Sequence, residues 1–91
     1  MTDNARIKER ERGVLAKQVL ENPVYAEAFT EMETNLRATM EYPKATDDAV
    51  LEARRMLIVL RTLKSSLERT MQTGQLAQIQ LNEARDGRAD D

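Results

Sequence analysis

The stretch Leu57-Ile58-Val59-Leu60 sets four large apolar residues side by side in the middle of a long segment with helical spacing. Successive helical residues turn by about 100°, so four in a row face nearly every direction. One flanking helix cannot cover them all. The run therefore predicts a chain whose work is contact with other chains. Around it, Val50, Ala53, Leu57, Leu60, Leu67 and Met71 keep a heptad rhythm, with Lys64 interrupting one position. Met56 and Leu63 widen that stripe. Leu51, Ile58 and Ser65 repeat every seven residues on the opposite face, with Val59 beside them. Sustained heptads mark helix seams, so Leu51, Ile58, Val59 and Ser65 are the candidate oligomer or partner contact.

The flanking punctuation sets the other elements. Tyr42-Pro43-Lys44-Ala45 reads as a turn. Thr46 or Asp47 then caps a helix over 47–73, with Asp47 and Asp48 near its positive end and Gly74 as its stop. Upstream, Asn22-Pro23 ends one helix and starts another, because asparagine caps and proline suits a first turn. The second helix, 23–41, carries Tyr25, Phe29, Met32, Leu36 and Met40 in one narrow stripe, and Glu33 and Arg37 are spaced for an ion pair. The first helix, 4–21, is highly charged up to Arg12, so residues 1–12 are expected to fray or to order only on a partner. Gly13 weakens it further, and Leu15, Val19 and Leu20 share its apolar side. A short last helix is expected over 75–84 with Leu76 and Ile79 inward, followed by a disordered acidic tail over 85–91.

These elements predict an all-α fold: a kinked antiparallel helical hairpin forming one domain over 1–84. Its expected core is Tyr25, Phe29, Met32, Leu36, Leu57, Leu60, Leu67 and Met71. Helix two packs on the first half of helix three, and the end of helix one on its second half. Charge fits that pairing, since residues 21–48 carry −5 and residues 49–73 carry +3. Such complementarity adds little per exposed pair but disfavours packing like helices together.

Composition narrows the function classes. The 91 residues include no Cys and no His, which removes thiolate chemistry, the usual metal ligand and the usual general base. The start, Met1-Thr2-Asp3-Asn4, is polar, unlike a signal peptide, and no apolar run approaches the roughly 20 residues of a membrane span. Glu27, Glu31, Glu33, Asp47 and Asp48 are numerous enough to suggest acid/base pairs or magnesium ligands. A hairpin offers no dry cleft for them, so they read as a solvated face and helix caps. Arg54, Arg55, Arg61 and Arg69 are the candidate phosphate contacts, set against a net charge of −2 and no nucleic-acid-binding motif. Ser65-Ser66 lacks a histidine partner and reads as room for another helix. Met32, Met40, Met56 and Met71 read as gap-fillers in the core.

The stretch Leu15-Ala16-Lys17-Gln18-Val19-Leu20-Glu21-Asn22-Pro23-Val24-Tyr25-Ala26-Glu27-Ala28-Phe29 resembles an "LL-x-NP-x-F-x-EA" element of small phage-encoded proteins. In those proteins a long leucine-rich helix follows and ends in "TG-x-LA", which is similar to Thr73-Gly74-Gln75-Leu76-Ala77 here. The resemblance spans residues 14–77 and rests on caps and apolar spacings. The chain lacks the tryptophan that the second helix of that group carries. The group consists of helical hairpins encoded near the head and DNA-packaging genes of tailed bacteriophages and prophages. The resemblance implies no enzymatic activity; it implies a non-enzymatic role in a phage particle or its assembly.

The expected function is thus a helical structural or assembly protein of a phage head or packaging apparatus. It would act as a homo-oligomer or in a larger protein assembly, with no cofactor, metal, small-molecule or membrane partner. The alternatives are a small acidic protein that inhibits a host protein and a helical accessory that touches DNA. The expected place is the cytoplasm of a bacterial host, or the virion.

Overall fold

A computed structural model describes residues 3–89, with side chains as far as Asp86. Three helices make up its regular structure: α1 (Asp3–Glu21), α2 (Pro23–Glu41) and α3 (Asp47–Ala89), and no strand occurs among the described residues. Asn22 breaks α1 from α2. Its backbone is extended, and its Oδ1 accepts hydrogen bonds from the N–H groups of Val24 at 2.8 Å and Tyr25 at 3.2 Å. Those are orphan donors of the first turn, and Pro23 needs no partner there. Tyr42 ends α2, its N–H donating to the Thr39 carbonyl. Thr46 caps α3 by accepting from the Ala49 N–H at 3.1 Å.

The chain divides into two compact units, each built on a different part of α3. In one, α2 runs antiparallel to the segment 47–65. Ala53 and Leu57 are buried there, while Tyr25, Phe29, Leu36 and Leu60 are half-buried. Lys64 places its ammonium 4.7 Å from the centre of the Phe29 ring, so the interrupted heptad position is filled by a cation–π contact. Glu33 Oε2 accepts from Arg61 Nε at 3.4 Å, across the hairpin; it does not pair with Arg37 as its spacing suggests. Met32 departs from its expected core place. It is 47% exposed, because a two-helix seam covers only the centre of the α2 stripe and Met32 sits at its edge.

In the other unit, α1 runs antiparallel to the segment beginning at Ser66. Its seam is made of small residues: Gly13, Ala16, Gly74 and Ala77 are buried, Ala77 fully, with Leu67 and Met71 half-buried. A Cβ built on Gly13 would stand 2.7 Å from the Gly74 Cα, and one on Gly74 would stand 2.6 Å from the Gly13 Cα. The two backbones therefore touch, and only glycine permits that approach. Leu15 and Val19 on α1, and Leu76 and Ile79 on α3, are exposed instead of inward. A seam this close selects the smallest face of each helix, and the larger side chains are turned out.

The helix boundaries change for the same reason. Gly74 is not a stop but an interior residue of α3 with no left-handed backbone, so the expected helices 47–73 and 75–84 are one. Residues 85–89 of the expected tail continue that helix; Asp90 and Asp91 lie outside the described residues. Residues 3–12 are helical too, and Ile7 and Arg10 line a groove with Leu81, Ala84 and Arg85. Met1 and Thr2 lie outside the described residues.

Candidate functional site

The most apolar concavity lies in the α2 unit. It is an open groove of about 410 Å³ lined by Met32, Arg55, Met56, Val59, Leu60 and Leu63. Met56, Val59 and Leu63 are spaced by three and four residues, so they form one stripe along α3. Met32 reaches it from α2. At Met56 this groove meets a second one, lined also by Leu36, Thr39, Asp48, Ala49, Glu52 and Ala53. The stripe thus has an apolar middle and an acidic end.

Leu51, Ile58 and Ser65 are exposed on another side of the same segment. Val59 does not join them. One residue from Ile58, it stands about 100° further round the helix. Both are open, Ile58 at 55% and Val59 at 68%. The four-residue run is therefore divided three ways: Leu57 is core, Ile58 faces outward, and Val59 and Leu60 line the groove. The spacing of Met56, Val59 and Leu63 carries this second stripe, but the sequence merges it with the core because Met56 and Leu63 directly precede the heptad positions 57 and 64.

The four candidate phosphate-binding arginines do not gather. Arg61 is engaged by Glu33, and Arg55 borders the apolar groove. Arg54 is exposed. Arg69 belongs to the α1 unit, where it shares a shallow groove of about 210 Å³ with Glu9, Arg12, Thr70 and Thr73. A glutamate in that groove offsets one of its two arginines. A further groove there combines Arg10 and Lys17 with Met71, Gln75 and Gln78 on either side of the glycine contact.

Among the described residues no group of three or more Asp or Glu side chains is placed to hold a metal ion. No described helix is long and apolar enough to cross a membrane. The chain is an all-α protein whose most developed surface is an apolar groove between helices. No family model, no characterised protein and no solved structure matches it.

Proposed function

We propose that this is a non-enzymatic helical protein that acts by helix–helix contact with other protein chains, as a structural or assembly component. One observation carries the reading: apart from Leu57 the buried hydrophobic side chains among the described residues are alanines, and several large apolar ones stay outside. Ala16, Ala53 and Ala77 are buried, whereas Met56, Ile58, Val59 and Leu63 are exposed. A contiguous strip of exposed apolar side chains is what a protein contact covers. The similarity to phage hairpins, on residues 14–77, supports use in a phage head or packaging apparatus, with a kink at Asn22.

The test has two arms. Ile58→Asp and Val59→Asp probe the two exposed sides of α3: the substitution on the contact side is expected to reduce the assembled mass seen by light scattering while helical circular dichroism is kept. If neither substitution alters the mass of the wild-type species, contact through this part of α3 is wrong. Mass spectrometry of purified virions then separates a particle component from an inhibitor of a host protein: absence from virions contradicts the structural role.

A further inference from the structure

We propose that the groove of the α2 unit is covered by the same groove of a second copy of this chain, the two α3 segments crossing antiparallel with Val59 at a two-fold axis. The proposal rests on the association reading above and names its partner and geometry.

Three observations lead to a second copy. The first is exposure. Met32, Met56, Val59 and Leu63 stand 47–68% exposed along the groove, a contiguous apolar strip of the kind that a protein contact covers. The second is the weakness of the core. No large side chain among the described residues is fully buried, and the buried hydrophobic side chains are three alanines and Leu57. A fold this thin is marginal alone, and the partner present wherever the chain is made is another copy of it.

The third is self-complementarity. Met56 and Leu63 stand three and four residues on either side of Val59. An antiparallel two-fold at Val59 therefore sets Met56 of one copy against Leu63 of the other, twice, with Val59 meeting its equivalent between them. Charge agrees with that direction. A parallel crossing would oppose Arg55 to Arg55 and Glu52 to Glu52. The antiparallel crossing holds the two Glu52 carboxylates about 20 Å apart along the helices. It also lays the Arg55 stem beside the partner's apolar Leu63.

The chain has no cysteine, so single-cysteine variants report without background. Val59→Cys and Ile58→Cys are each oxidised under the same conditions and resolved by non-reducing electrophoresis, with the wild-type mass measured by light scattering. The expected result is a dimeric wild type, nearly complete cross-linking of Val59→Cys, and several-fold less for Ile58→Cys. A dimeric wild type with equal or reversed cross-linking overturns the Val59 two-fold and leaves the association reading standing. A wild type that stays monomeric at millimolar concentration overturns the second-copy proposal and leaves the association reading to the virion test.

Discussion

The two units close their helices by opposite means. Around Gly13 and Gly74 the backbones of α1 and α3 touch, and the seam holds no side chain larger than alanine at its tightest points. Between α2 and the 47–65 segment, side chains keep the helices apart: Leu57 fills the seam, Lys64 lies on Phe29, and Arg61 reaches Glu33. The first solution is intolerant of any added atom. The second tolerates change but leaves grooves along its flanks. A surface for partners belongs with the second kind of packing, since grooves and half-covered side chains are what another helix can fill.

Enlarging the close seam should have the largest effect. Gly13→Val places branched carbons where even a Cβ meets backbone, so we expect about 3 kcal/mol or more of destabilisation. Urea unfolding gives the magnitude, and hydrogen exchange should show amides of α1 losing protection first. Gly13→Ala and Gly74→Ala are smaller versions, each expected to cost about 1–3 kcal/mol despite alanine's better helix propensity. A gain in stability from either would mean that the backbones do not meet there. Loss of protection spread evenly over both units would erase the distinction between them.

Shrinking the other seam should cost less. Leu57→Ala leaves a cavity beside Ala53, and about 2–4 kcal/mol is expected by the same unfolding measurement. The α2 cap comes next: Asn22→Ala removes the acceptor for the Val24 and Tyr25 N–H groups, at a cost of about 1 kcal/mol. The cross-hairpin ion pair should matter least. Its partners are partly open to solvent, and Glu33→Gln is expected to change stability by less than about 1 kcal/mol, shrinking further in high salt.

Much of this fold is written in local chemistry. Asn22-Pro23 and Thr46 mark helix starts because a side-chain oxygen must meet orphan N–H groups, and this depends on neighbours alone. Leu57 reads as core because it lies at the centre of the heptad stripe. Gly13 and Gly74 were opaque for a physical reason. A glycine weakens an isolated helix, so it reads as a cost or an end, and its value as a crossing point exists only once a second backbone arrives. Leu15, Val19, Leu76 and Ile79 misled in the same way, since apolar size argues for burial and the seam selects for smallness. Of the exposed apolar residues, Ile58 and Val59 were legible as excess greasiness. Their separation onto two sides, and the joining of Val59 with Met32, needed the position of α2.

The decisive quantity is the mass of the unaltered chain in solution, by sedimentation equilibrium from micromolar to millimolar concentration. We expect a dimer or larger species that dissociates on dilution, because association covers the exposed Met56, Val59 and Leu63 stripe. A single monomeric mass over the whole range would contradict an association protein built from this chain alone.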